Sequence, residues 1–239
     1  MYPSTPLLDP LDDDDRRALL ARGVARRLQR GQPLVMAGDP GRRAHLVARG
    51  VVKLVARNSD GQATILGLAV AGELVGELPL IDGLPQPLDA VAATPCEVLG
   101  LPGDDLARAL LRSPPAALEL ARLLARRNRW LVDTATERTT SPVPARLAGR
   151  LLDLAEVIGR VSGDAVEMDL PLGQDDLGRL AGTSRESTCK TLRRFQQAGL
   201  LAYRGRRLRI LRPDALERIR CAGRSGDGDR AQSSVPRAR

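Results

Sequence analysis

Aromatic side chains are nearly missing from this 239-residue chain: Tyr2, Trp130, Phe195 and Tyr203 are the full set. A protein that grips single-stranded nucleic acid by stacking bases on rings needs more than that. Cysteine is almost as scarce. Cys96, Cys189 and Cys221 lie far apart with no CxxC spacing, which excludes a disulfide scaffold, a zinc ribbon and the four thiolates of an iron–sulfur cluster. The single histidine, His45, sits in the apolar run His45-Leu46-Val47-Ala48 and reads as a strand residue rather than a metal or haem ligand. With no Gly-x-Ser-x-Gly, no phosphate loop and no metal-ligand cluster, the sequence does not read as an enzyme. No apolar run approaches the ~18–20 residues of a membrane helix. The acidic run Asp12–Asp15 stands where a secretion signal wants positive charge. The expectation is a cytoplasmic protein without a membrane partner and with no metal site.

Lysine is rare as well, two residues against 35 arginines, and the basic charge is unevenly placed. Residues 1–112 carry net −1, residues 113–142 net +2 and residues 143–239 net +7. Between 185 and 212 there are nine basic side chains and one acid, Glu186. A neutral front and a basic back suggest a sensing or assembly region followed by a nucleic-acid-binding one.

Residues 10–22 read as a short helix. From Gly31 to about Leu101, apolar runs of about six residues alternate with Gly, Pro, Asn and Asp, the texture of an all-β sandwich or barrel. The runs are 33–36, 45–48, 51–56, 64–70, 90–93 and 97–101, and Ser59-Asp60-Gly61 marks a hairpin. From Pro115 the period changes. Ala117, Ala121, Leu124, Asn128, Leu131 and Ala135 are spaced four and three residues apart in turn, an a/d seam suited to pairing with a second copy. Asn128 inside the seam favours one register and a two-stranded state. Leu118, Leu120, Leu123 and Val132 offer a second apolar face. The alternative use of the stripe is packing on the chain's own β-domain, and the two are compatible. Pro142 and Pro144 break the helix. A further helix carries Leu147, Leu151, Leu154 and Ile158 on one face, 159–169 reads as a loop, and the residues after 223 read as a disordered Gly/Ser/Arg-rich tail. The expected divisions are 1–112, 113–142, 143–222 and 223–239.

Residues 172–200 break into a short helix (174–181), a turn at Gly182-Thr183 and a second helix (184–198) closed by Gly199, the spacing of a helix-turn-helix. Two apolar runs around Tyr203-Arg204-Gly205-Arg206-Arg207 then read as a hairpin with a basic tip, the wing of a winged helix. The second helix opens with Arg185 and Glu186, and Lys190 follows one turn on. Arginine can fork onto a guanine edge, glutamate can accept from cytosine N4, and the later cation can reach a base or a phosphate. The competing use of Glu186 is a capping box over Thr183–Glu186. Cys189 on the same helix reads as a small packing residue.

Several motifs together give the chain a clear resemblance to the Crp/Fnr family of bacterial transcription regulators over roughly residues 6–218. They are Gly38-Asp39-Pro40, Gly50–Lys53, Gly72–Leu78, Arg146-Leu147-Ala148 with Leu151-Leu152, and Thr183–Ser187. The resemblance implies an α+β chain with an N-terminal β-roll of the cyclic-nucleotide-binding, jelly-roll kind, a long dimerisation helix and a C-terminal winged helix-turn-helix. It implies that Arg185, Glu186 and Lys190 read bases, with Ser184 and Gln174 at the DNA interface and Gln174 at a phosphate-contacting position. Its implied partners are double-stranded DNA bearing an inverted repeat, a second copy of the chain, and RNA polymerase where the regulator activates. Gly76, Glu77 and Leu78 match the start of the nucleotide-binding cassette, Glu77 at the ribose-binding position. The cassette's closing Arg-Ser pair, however, falls on Gln86-Pro87 or Pro87-Leu88. The hydroxyl pair that meets the base falls at about Leu131-Val132. With neither cation nor hydroxyl at these places, cyclic AMP is not the expected effector. Another small molecule remains open, cyclic di-GMP with Arg126, Arg127 and Arg129 among them, as does a sensing module that acts on a partner protein.

Overall fold

The computed structural model of the chain describes residues 6–225. They form two compact units that divide inside one long helix, after Leu131.

The first unit runs α1 (Asp13–Ala21), β1 (Val24–Leu28), β2 (Pro33–Val35), β3 (Arg43–Arg49), β4 (Val51–Arg57), β5 (Ala63–Val70), β6 (Leu74–Val75), α2 (Leu78–Asp82), β7 (Asp89–Ala92), β8 (Cys96–Pro102), α3 (Gly103–Arg112) and the first turns of α4 (Pro114–Thr140). The acidic run has a local cause: Asp12 caps α1 through the Asp15 N–H at 2.7 Å, and Asp13–Asp15 line its first turn, where the helix dipole favours negative charge. Two antiparallel four-stranded sheets, ordered β1-β8-β3-β6 and β2-β7-β4-β5, make the roll. Alternate side chains of one strand serve two cores. Val47 and Val98 point between the sheets with Leu34, Val52 and Ala90. Leu46, Leu99 and Leu101 point outward beneath Leu19, Leu106, Ala116, Leu120 and Leu123 of the helices. His45 is buried within this roll, and burial, helped by Arg26 and Arg43, lowers its pKa to about 4. It is a neutral strand residue at pH 7.

The second unit holds the last turns of α4, then α5 (Val143–Ile158), β9 (Arg160–Ser162), β10 (Ala165–Asp169), α6 (Gln174–Ala181), α7 (Arg185–Gln197), β11 (Leu201–Arg204), β12 (Arg207–Ile210) and α8 (Pro213–Ser225). One antiparallel sheet, β11-β12-β10-β9, backs the helices. Leu147, Leu151, Leu177, Leu192, Leu201 and Leu216 are almost fully buried. A charged cluster is buried with them. Arg150, 3% exposed, pairs with Glu137 of α4 and with Asp153 at 2.8 Å, and Arg220 of α8 reaches Asp153 at 3.4 Å.

The order of roll, long helix and winged helix-turn-helix is as expected. The segment 159–169, however, is a hairpin rather than a loop. Its exposed strand β9 (Arg160-Val161-Ser162) has no apolar alternation and is held by pairing with β10 alone. Strand β1 is likewise mostly exposed, which is why its pattern reads as non-strand. At the far end, α8 carries helix through Ser225, past the expected start of the tail, and residues 226–239 of that tail lie outside the described residues.

The long helix divides the two expected faces residue by residue. Its own chain covers the stripe Ala116, Leu120, Leu123, Thr134 and Glu137, with Arg127 and Trp130 half-buried. Of the second apolar face, Leu120 and Leu123 pack into the roll's core, whereas Leu118 and Val132 do not. Ala117, Ala121, Asn128, Leu131 and Ala135 stay exposed, Leu124 is half-buried, and Leu118 and Val132 lie exposed beside them.

Candidate nucleic-acid interface and effector roll

Gly182 turns the chain between α6 and α7 with a φ of +63°, a conformation that L side chains resist. The two helices touch at Gly178, where an added Cβ would lie 2.9 Å from the Thr183 carbonyl oxygen and 3.0 Å from the Thr188 hydroxyl. Arg146 of α5 braces the turn, donating to the carbonyls of Ala181 at 2.9 Å and Gly182 at 3.2 Å. The inner face of α7 is Thr188, Thr191, Leu192 and Phe195, all buried. By helical period the opposite face carries Arg185, Glu186, Lys190 and Arg193, all exposed.

The start of α7 shows which residue caps it. Ser184 is the N-cap, and its hydroxyl accepts from the Ser187 N–H at 3.1 Å. The position three residues on is therefore Ser187, not Glu186, and the Thr183–Glu186 capping box does not form. Glu186 is left with its carboxylate free of protein hydrogen bonds among the described residues, beside Arg185 and Lys190. Ser184 is exposed, but its hydroxyl is engaged in the cap. Gln174 opens α6, half-buried, and accepts from the Cys189 thiol at 2.8 Å. The wing follows: β11 and β12 pair through a two-residue turn whose first member, Gly205, takes a φ of +64°. Arg204, Arg206 and Arg207 surround that turn, all exposed.

In the roll, Gly76 and Glu77 are buried and Leu78 half-buried. Glu77 is not waiting for a ligand hydroxyl. Its Oε1 accepts from Arg127 Nη1 at 2.6 Å, and Arg127 Nη2 donates to the Leu74 carbonyl at 2.6 Å. Sequence reasoning placed Arg127 in a cationic group without seeing this partner, 50 residues away. The available signal was its position on the helix's covered stripe, where a charge must find a counter-charge. At the cassette's other end, Gln86 is buried with its Oε1 unpartnered. Asp89 is buried against Arg57 at 2.8 Å and accepts from the Ala37 N–H at 2.9 Å. Burial pushes the Asp89 carboxyl up, but these bonds outweigh it and hold it below the ordinary carboxylate range. An orphaned acceptor and a neutralised carboxylate do not fit a cyclic phosphate, which needs donors and positive charge. Among the described residues no group of His, Cys, Asp or Glu is placed to hold a metal, and no helix is long and apolar enough to cross a membrane.

The comparisons with known proteins agree with this layout. The cyclic nucleotide-binding domain family matches residues 25–113, and the Crp-like helix-turn-helix domain family matches residues 145–219. The cyclic AMP receptor protein of Thermus thermophilus is 32% identical over 204 residues, 82% of this chain and 88% of its own length. The chain belongs to the Crp/Fnr family. It is a DNA-binding transcription regulator of the Crp/Fnr type. A CRP-like cAMP-activated global transcriptional regulator of Mycobacterium tuberculosis is 30% identical over 189 residues, 79% of this chain and 84% of its own. The solved structure of CLP, a c-di-GMP-responsive global regulator of Xanthomonas campestris, superposes with a TM-score of 0.69 at 25% identity. The match covers 83% of this chain and 99% of that one.

Proposed function

We propose that this Crp/Fnr member acts in the cytoplasm as a homodimer that reads an inverted-repeat operator and does so without cyclic AMP. The carrying observation is the face of α7, where Arg185, Glu186 and Lys190 stand exposed with no protein partner among the described residues. Arg185 and Glu186 supply a donor fork and an acceptor for base edges, and Lys190 supplies charge without the planar fork. Arg193 extends the face, and Arg204, Arg206 and Arg207 offer charge to flanking phosphates. The exposed seam on α4 pairs two copies, so two recognition helices enter successive major grooves about 34–36 Å apart. Where the regulator activates, RNA polymerase is the further partner. Selection from a random duplex library is expected to return an inverted repeat with half-sites one turn apart. Arg185→Ala should cost about 1–3 kcal/mol and relax one base in each half-site. An asymmetric site, or unaltered specificity in that variant, would overturn the assignment.

The effector roll supports independence from cyclic AMP because Glu77, the carboxylate at the ribose-binding position of the resemblance, is already paired within the chain. Calorimetric titration of cyclic AMP should give a Kd on the order of millimolar or weaker. Operator affinity by anisotropy should be nearly equal with and without it. Micromolar binding, or a tenfold gain in operator affinity, would sink this part of the reading. A second reading is favoured by the likeness to CLP: the arginines Arg126 and Arg129 are exposed on α4 and could meet the two phosphates of cyclic di-GMP. Arg127 is excluded from that set by its pairing with Glu77. The same calorimetry with cyclic di-GMP decides between the two.

A further inference from the structure

The contact between Cys189 and Gln174 has a consequence for DNA binding. Gln174 is the first residue of α6. Its preceding residue, Gly173, supplies no side-chain cap, so the helix start leaves its N–H groups without that partner. A glutamine amide in such a place can present either its oxygen or its amino group. Only the amino group donates to a phosphate oxygen. The thiol of Cys189 donates to Oε1 at 2.8 Å, which ties the oxygen inward against α7. No described protein group engages Nε2, and Nε2 is not among the buried orphaned atoms, so the donor end is the accessible one.

The surrounding packing fixes this arrangement. The helices α6 and α7 approach most closely at Gly178 and Thr188. Gln174 lies one turn before Gly178, and Cys189 is the neighbour of Thr188. The thiol is thus carried to the amide oxygen by the same close approach that sets the recognition helix. A glycine or alanine at 189 would leave the oxygen without a donor and free the amide to turn over.

We infer that Cys189 is a positioning residue for phosphate recognition, its thiol holding Gln174 with the amide NH2 directed to the DNA backbone. The inference rests on the DNA-binding reading above. It also replaces the expectation that Cys189 is only a small packing residue.

The test is operator and non-specific duplex binding by full-length Cys189→Ala, Cys189→Ser, Gln174→Ala and the Cys189→Ala/Gln174→Ala double variant, with Arg185→Ala alongside. Gln174→Ala should weaken binding by about five- to thirtyfold in the dimer, which loses one amide–phosphate hydrogen bond per subunit, and Cys189→Ala, which frees the amide to turn over, by a measurable part of that. The loss should be equal on operator and non-specific DNA, with no change of sequence preference. The salt slope should not change, since a neutral amide displaces no counterion. Cys189→Ser, whose hydroxyl also donates, should restore affinity to within about twofold. The double variant should be no weaker than Gln174→Ala alone. A further loss from Cys189→Ala in the Gln174→Ala background would show that the thiol acts by packing and would overturn the inference. So would a serine variant as weak as the alanine one. If Gln174→Ala and Arg185→Ala bind normally, the DNA-binding face itself is misplaced. If those two weaken binding while Cys189→Ala is silent, the positioning role alone fails.

Discussion

A Leu131→Asp chain is expected to sediment as a monomer and to lose specific operator binding by at least about a hundredfold. The reason lies in the seam of α4. Leu131 is 39% exposed in the single chain and is the largest side chain of the seam left on the surface. In a paired helix it would face the seam of the second copy, and aspartate there buries two unpaired carboxylates close together. Once the dimer is lost, each winged helix must find its half-site alone. The second contact is then no longer intramolecular, and that effective concentration contributes about 10²–10⁴ in affinity. Leu124→Asp is a poorer probe. Leu124 also packs against the core beneath the helices, so its loss damages the roll as well as the seam. Sedimentation equilibrium and operator anisotropy on Leu131→Asp read the two effects separately. A stable dimer in that variant would move the interface off this face of α4.

Arg150→Met is expected to destabilise the Val132–Arg239 unit by about 3–5 kcal/mol, the cost of breaking the buried Arg150–Glu137 pair from one side. Arg150 is 3% exposed and joins Glu137 to Asp153. Removing it takes the nearest cation from the buried Glu137 and leaves Asp153 to Arg220 alone, against a total stability that for an ordinary domain is about 5–15 kcal/mol. Scanning calorimetry of the full chain should show the transition of the second unit moving down while that of the roll stays. The pH dependence has a definite sign. Burial already pushes the Asp153 carboxyl above the usual range, against the pull of Arg150 and Arg220. A carboxyl raised in the folded state takes up a proton there before the unfolded chain does. Its penalty is therefore full at neutral pH and shrinks as pH falls toward the unfolded value of 3.8. The deficit of Arg150→Met should shrink in the same direction. A loss below about 1 kcal/mol would mean that the cluster behaves as an exposed one.

What could be read from the sequence follows from how each element is stabilised. Helices α6 and α7 were legible to within a residue because their signals are local: apolar spacing, Gly182 in the turn and Gly199 at the end. The interior strands β3, β4, β5 and β8 were legible because burial on one or both faces writes itself as runs of Val, Leu and Ile. Strand β1 and the hairpin β9–β10 were not, since β9 is wholly exposed, β1 buries only Leu28 and β10 only Ala165 and Met168, too few apolar positions to write a pattern. The same division applies to the site. Arg185, Glu186 and Lys190 stand on a surface whose geometry the helix period dictates. The Arg127–Glu77 pair and the Cys189–Gln174 bond are tertiary, and no spacing rule foretells which side chains meet across 50 or 15 residues. The N-cap of α7 shows how fine the margin is. Moving the cap by one position, from Thr183 to Ser184, takes Glu186 out of a capping box and leaves it for a ligand.

With the dimer proposed above, the seam would make abundance a signal. Apart from its two leucines it is built from alanines and one asparagine, side chains that bury little apolar area and so hold two helices together modestly. At chain concentrations below the dissociation constant of such a pair, the population of dimer grows with the square of chain concentration until it saturates, and stability follows the same dependence. A cell that doubles the amount of this protein would then raise operator occupancy up to fourfold while sites are mostly empty. A shallow change in synthesis or turnover becomes a steeper change in transcription, with no metabolite required to announce it.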